Sequence, residues 1–149
     1  VYDFTNRNGA WAPDVVPKFI GPVVVKAFLD DEPEKFAAAS PIDQVHADAP
    51  PFLIVHGDLD TLAPVETARD FADELRAVSK APTLYLELKG AQHAFEVFPS
   101  IRANRVLRGA RHFLETVYAS ALEGRAAEDI PVEELVEAVD PEVAEAVAP

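Results

Sequence analysis

Residues 52–64 read FLIVHGDLDTLAP, and this stretch decides the fold class that the sequence predicts. It opens with four apolar residues in a row, two of them β-branched, which is typical of a strand buried on both faces of a parallel sheet. Gly57 ends the strand, a polar loop with two aspartates follows, and Pro64 stands where the first residue of a helix is favoured. The stretch therefore predicts a buried strand, a polar loop and a helix, in that order.

A second strand follows this helix. Apolar residues recur at helical spacing between residues 64 and 79, which predicts one amphipathic helix over that range. Residues 83–88 then read TLYLEL, with leucine at every second position, and Gly90 ends this run. Strand, helix and strand at these lengths predict a βαβ unit with parallel strands, and hence an α/β fold.

The flanking segments are less regular. Residues 1–26 mix aromatics, glycines and prolines, which indicates an irregular loop with one short turn of helix. Residues 32–36 open a brief helix, and Ser100 can cap a last long helix that carries one apolar stripe. Residues 124–149 contain eight acids, one arginine and no aromatic residue, so we expect a disordered or marginally helical acidic tail after a domain that spans residues 1–123.

Composition excludes several classes of function. The chain has 149 residues, with 13 Lys and Arg against 26 Asp and Glu, and its formal net charge of −13 argues against a nucleic-acid partner or an anionic membrane surface. No apolar run approaches the roughly 18 residues that a transmembrane segment needs. Cysteine is absent, which excludes disulfides, thiolate metal sites and a cysteine nucleophile, and leaves the cellular compartment open.

Polar side chains follow both predicted strands at the point where each strand ends. Asp58 and Asp60 lie after the first strand, and His93 lies after the second. The carboxyl ends of parallel strands meet at one edge of a sheet, where ligands of open α/β sheets bind. We therefore expect a carboxylate and His93 to come within hydrogen-bond distance. A carboxylate in that place orients an imidazole and stabilises its protonated form, as a general base toward a hydroxyl nucleophile requires.

These residues carry a resemblance to the carboxyl-terminal half of the α/β-hydrolase esterases and lipases. In that family one strand ends in H-G-x-x-D-x-x-V-P and a later strand ends in G-x-x-H-x-F. Here residues 56–64 read HGDLDTLAP, with Ala63 in place of valine, and residues 90–95 read GAQHAF. The resemblance covers residues 39–95 closely and residues 1–120 loosely. It implies the carboxyl-terminal portion of an α/β-hydrolase fold, with a partial parallel sheet and flanking helices.

The resemblance also implies a function. Asp60 matches the family's triad acid and His93 its general base, while Asp58 falls on a variable position of the motif. The implied activity is that of a serine carboxylic ester hydrolase, which acts on small-molecule ester or acyl substrates with no cofactor and no metal. Several apolar residues can line an acyl pocket, although core packing explains them more readily: Phe4, Trp11, Phe19, Val23, Val24, Val25 and Phe28.

The nucleophile of the family has no counterpart in the chain. The family's serine lies in a G-x-S-x-G turn and its oxyanion hole in an H-G-G-type loop. Neither motif is present, and none of Ser40, Ser79, Ser100 and Ser120 has paired glycines around it. The chain starts at Val1 and contains no methionine, so we expect a fragment whose partner is the N-terminal half of the same domain. Alone it should be inactive and should expose apolar surface.

Three alternatives stay open at the level of sequence. The order Asp58, Asp60, Thr61, Leu62 also resembles the D-x-D-G-T-L motif of the haloacid-dehalogenase phosphatases, but the glycine is absent and His93 has no role there. A non-catalytic βαβ interaction module would explain the lack of a nucleophilic serine. A metal site built from His56, Asp58 and Asp60 is the least favoured, because alternate residues on a short loop seldom converge on one ion.

Overall fold

The computed structural model describes residues 2–136, and a two-stranded parallel sheet lies at its centre. Strand β1 spans Phe52–Gly57 and strand β2 spans Thr83–Leu88. The register pairs Phe52 with Thr83 and Gly57 with Leu88, so both strands end at the same edge of the sheet. The two predicted strands and their parallel pairing are confirmed.

A helix covers each face of this sheet. Helix α2, Val65–Val78, connects the strands as predicted, and its buried Phe71 and Leu75 pack on Ile54 of β1. Helix α3, Ile101–Leu122, covers the other face. Successive side chains of a strand point to opposite faces, so β2 directs its alternate leucines toward α3: Leu84 contacts Phe113, while Leu86 and Leu88 pack with Val106. The sheet and its two helices form three layers.

The start of α3 confirms its predicted cap. The Ser100 side chain accepts a hydrogen bond of 3.0 Å from the backbone N–H of Ala103. This bond satisfies one of the amide groups that have no partner within the first turn of a helix. The predicted brief helix before β1 is also present: helix α1 spans Pro33–Ala39, and a 3-10 turn, Pro41–Gln44, follows it.

The N-terminal segment is more regular than the sequence predicts. A π-helix spans Val16–Val25 where we expected an irregular loop with one short turn. Pro17 is in its first turn, where a backbone N–H has no partner within the helix, and Pro22 lies inside it and lacks the N–H that an α-helical ladder requires there. Trp11, Ile20 and Phe36 form a buried cluster around this segment, and Ala63 from the loop after β1 belongs to the same cluster. The segment therefore packs directly behind the loop that carries Asp60.

The described part of the acidic tail contains a turn and a short helix. Beyond α3 the chain forms a 3-10 turn, Ala127–Asp129, and helix α4, Val132–Val136. Ile130 and Leu135 are buried and pack with Leu84 and Phe113. These two apolar side chains thus attach an acid-rich segment, which we expected to be disordered or marginally helical, to the rest of the domain. The remainder of the tail, residues 137–149, lies outside the described residues.

Within residues 2–136, no helix has both the length and the apolar character that crossing a membrane requires.

Candidate active site

Two loops at the carboxyl edge of the sheet bring Asp60 and His93 together. His93 Nδ1 lies 2.8 Å from Asp60 Oδ2. An ionised carboxylate can only accept a hydrogen bond, so Nδ1 carries the proton and donates it. His93 Nε2 has no hydrogen-bond partner in the part of the chain that the structure describes, and in this tautomer it is an acceptor. The predicted proximity of the two side chains is thus observed.

The backbone of the two loops explains how they approach so closely. Gly57 faces the carbonyl group of Ala91, and a Cβ atom at position 57 would lie 2.3 Å from that oxygen. The Leu59 N–H donates to the same Ala91 oxygen at 3.1 Å. Asp58 Oδ1 accepts the N–H of Gly90 at 2.6 Å. Asp58, which the resemblance left without a role, therefore ties the loop of Asp60 to the loop of His93.

Asp60 is held by hydrogen bonds to both of its carboxylate oxygens. Oδ1 accepts the backbone N–H groups of Leu62, at 2.9 Å, and Ala63, at 2.7 Å, while Oδ2 accepts from His93. Only 6% of the Asp60 side chain is exposed. Burial by itself raises the pKa of Asp60, but the hydrogen bonds from Ala63, His93 and Leu62 outweigh it and hold the pKa below its ordinary value. Asp60 is therefore a fixed anion beside His93.

A second histidine contacts the same carboxylate. His56, the penultimate residue of β1, is buried, and its Nε2 lies 2.9 Å from the Ala63 carbonyl oxygen. The same nitrogen is 3.5 Å from Asp60 Oδ2. From the sequence we considered His56 only as part of a disfavoured metal site, and we did not predict its contact with Asp60.

A small cavity of about 180 Å³ opens beside these side chains. His56, Asp60 and His93 line it together with Tyr2, Gln92 and Phe95. Burial, and to a smaller extent the charge of Asp60, raise the pKa of Tyr2, so its hydroxyl group stays protonated at neutral pH. The cavity therefore combines the Asp60 carboxylate, two imidazoles and a phenol with apolar groups such as the Phe95 ring.

No serine is among the residues that line this cavity. Ser40 is fully buried, donates to the Phe36 carbonyl and accepts the N–H of Phe4. Ser79 bonds the Ala49 carbonyl, and Ser100 caps α3. Ser120 is buried within α3. Each serine of the chain thus has a place in the fold away from His93.

The apolar residues that we considered for an acyl pocket separate into two groups. Trp11 is buried in the N-terminal cluster, and Phe4 and Val25 pack against that cluster. Phe19, Val23, Val24 and Phe28 are instead at least half exposed. None of these residues lines the cavity beside His93. Across residues 2–136, no three histidine, aspartate or glutamate side chains are grouped so as to hold a metal ion.

Comparisons with known proteins relate the chain to esterases. The probable carboxylic ester hydrolase LipM of Mycobacterium tuberculosis is 42% identical over 120 residues, which are 80% of this chain and 28% of LipM. Esterase LipC of the same organism is 44% identical over 119 residues, 80% of this chain and 29% of LipC. Esterase LipQ, also from that organism, is 34% identical over 84% of this chain and 29% of LipQ. The family model described as BD-FAE matches residues 12–75.

These matches confirm the resemblance to the esterase family that the two motifs predict. The chain spans only about 28–29% of the length of these curated relatives. No solved structure matches the chain.

Proposed function

We propose that this chain is the carboxyl-terminal portion of a serine carboxylic ester hydrolase with an α/β-hydrolase fold, and that Asp60 and His93 are its triad acid and base. The hydrogen bond of 2.8 Å between His93 Nδ1 and Asp60 Oδ2, at the carboxyl edge of a parallel sheet, carries the proposal. It leaves Nε2 as the acceptor that a serine hydroxyl requires. The esterase relatives support the same activity.

The other catalytic groups of the proposed enzyme would lie in a segment that corresponds to the part of the longer relatives outside the match. That segment supplies the serine nucleophile and the donors of the oxyanion hole. This division agrees with the four serines of the chain, which have other positions in the fold. The two-stranded sheet is then continued by further strands in the complete domain.

The reaction proceeds in two steps, the acylation of the serine and the hydrolysis of the acyl-serine. His93 Nε2 takes the proton of the serine hydroxyl while the serine oxygen bonds to the carbonyl carbon of the ester. The protonated imidazole then gives that proton to the oxygen of the departing alcohol, as the bond between this oxygen and the carbonyl carbon breaks. An acyl-serine and a free alcohol result. Water repeats the sequence in the second step and releases the carboxylic acid. Asp60 keeps its charge throughout and stabilises the imidazolium each time it forms.

The site geometry favours this activity over the phosphatase alternative. In a phosphatase of the D-x-D type, the Asp58 carboxylate would have to be free to attack the phosphoryl group, and Asp60 would have to donate a proton as a general acid. Here Asp58 Oδ1 accepts the Gly90 N–H, and the low pKa of Asp60 makes it a poor proton donor. The βαβ interaction module remains the second candidate, since it requires no nucleophile.

A chimera tests the proposal. The segment of esterase LipC that this chain matches is replaced by the corresponding segment of this chain, and hydrolysis of p-nitrophenyl butyrate is measured. We expect the folded chimera to hydrolyse the ester and His93→Ala to lower kcat by about three orders of magnitude or more. His46→Ala is the matched control, because His46 is exposed in a loop before β1. A folded but inactive chimera would contradict the proposal.

The 149-residue chain alone provides the complementary measurement. Without a nucleophile it should hydrolyse the same ester no faster than buffer does. It should also bind a hydrophobic dye, because the outer edge of β1 has no neighbouring strand among the described residues and large apolar side chains such as Phe98 and Ile101 are exposed. Hydrolysis by this chain that depends on His93 would contradict the division of the triad.

A further inference from the structure

His56 donates a hydrogen bond to the turn that carries Asp60. Its Nε2 lies 2.9 Å from the Ala63 carbonyl oxygen and 3.5 Å from Asp60 Oδ2. Both of these oxygens are acceptors, so Nε2 must carry a proton. The shorter contact is a full hydrogen bond, and the longer one adds an electrostatic attraction to the carboxylate. The buried N–H group of His56 therefore contacts both ends of the turn, the Asp60 carboxylate and the Ala63 carbonyl.

The same turn determines how the Asp60 carboxylate is oriented. The N–H of Ala63 points inward to Asp60 Oδ1, and the carbonyl of Ala63 points to His56. The peptide groups on the two sides of Ala63 are thus each held by a different partner, Asp60 on one side and His56 on the other. Ala63 is also buried against the N-terminal cluster, which leaves its carbonyl little access to water. His56 is its hydrogen-bond partner among the described residues.

We propose that His56 is a positioning residue for the Asp60–His93 pair: it holds the Ala63 carbonyl and thereby fixes the carboxylate that orients His93. The effect of His56 on turnover rests on the proposed esterase function. The effect of His56 on the His93 tautomer is independent of that function, because the hydrogen bond between Asp60 and His93 is a property of the fold.

A purely packing role makes a different prediction. His56 also lies against the ring of Tyr2, with ring centroids 6.1 Å apart. If packing were its whole role, leucine would replace it with no effect on His93. If its N–H is what matters, glutamine should restore the site, because the glutamine side-chain amide can reach about as far as Nε2 and donates without titrating.

The first test is a nitrogen-15 NMR comparison of the full 149-residue chain, in which only four histidines contribute signals. We expect His93 in its Nδ1-protonated form and His56 in its Nε2-protonated form. His56→Leu should shift His93 toward a mixture of tautomers, while His56→Gln should keep the native form. His46→Leu is the control and should change neither signal. An unchanged His93 tautomer in His56→Leu would overturn the proposal.

The second test is kinetic and uses the LipC chimera. His56→Leu should lower kcat at least ten-fold with little change in KM, because the substrate-binding surface is intact and only the base is misaligned. His56→Gln should recover kcat to within about three-fold of the parent. Equal losses in both variants would overturn the proposal. A chimera that is inactive from the outset contradicts the esterase function only, and the NMR comparison then decides the role of His56.

Discussion

Gly57 and Ala91 lie so close together that a Cβ atom on Gly57 would stand 2.3 Å from the Ala91 carbonyl oxygen. Gly57 ends β1 and Ala91 follows β2, so this contact sets the distance between the two loops that carry Asp60 and His93. The glycine of the H-G motif is therefore required for a close approach of backbone to backbone.

Gly57→Ala should separate the two loops. The new methyl group would overlap backbone atoms that cannot move independently, so we expect a loss of folding stability and of the His93–Asp60 hydrogen bond. Urea unfolding and the His93 NMR signal measure the two effects. Gly9→Ala is the control: Gly9 has open space around it and a φ of +64°, so alanine there should cost only about 1–2 kcal/mol of backbone strain. Equal losses of folding stability in Gly57→Ala and Gly9→Ala would contradict the steric explanation.

Asp58 gives a second prediction about the same pair of loops. Asp58→Ala removes the acceptor of the Gly90 N–H and should cost about 0.5–1.5 kcal/mol, whereas Asp58→Asn retains a side-chain oxygen for that bond. Hydrogen exchange at the Gly90 amide should accelerate in the alanine variant and stay near the parent rate in the asparagine variant. Ester hydrolysis by the chimera should survive Asp58→Asn. Magnesium-dependent phosphatase activity that Asp58→Asn abolishes would instead support the D-x-D alternative.

Local patterns were enough to predict the central βαβ unit, because strands and helices are encoded in the spacing of neighbouring apolar residues. The pairing of Asp60 with His93 could also be predicted, since parallel strands place their carboxyl ends together. The contacts of His56 and Asp58 could not, because they depend on loop conformations that bring backbone groups together across 7 to 32 residues. The packing of residues 127–136 against α3 could not be predicted either, because Ile130 and Leu135 have no periodicity of their own.

The low pKa of Asp60 predicts how stability depends on pH. A carboxyl group whose pKa is lower in the folded state stabilises that state fully above its unfolded pKa of about 4, and loses this contribution as the pH falls through the folded value. The free energy of unfolding should therefore decline on acidification below about pH 4. Asp60→Asn should be less stable than the parent at neutral pH and should show a shallower decline. Parallel pH profiles for the two proteins would contradict a lowered pKa of Asp60 in the folded state.

Leu135 tests whether the acid-rich segment after α3 belongs to the folded domain. Its side chain is fully buried against a cluster that includes Phe113 and Ile130. Leu135→Ala removes that packing and should lower the free energy of unfolding by about 2–5 kcal/mol. Val132→Ala changes an exposed residue of the same short helix and should cost no more than about 0.5 kcal/mol. Urea unfolding of both variants makes the comparison, and a disordered segment would give equally small changes at the two positions.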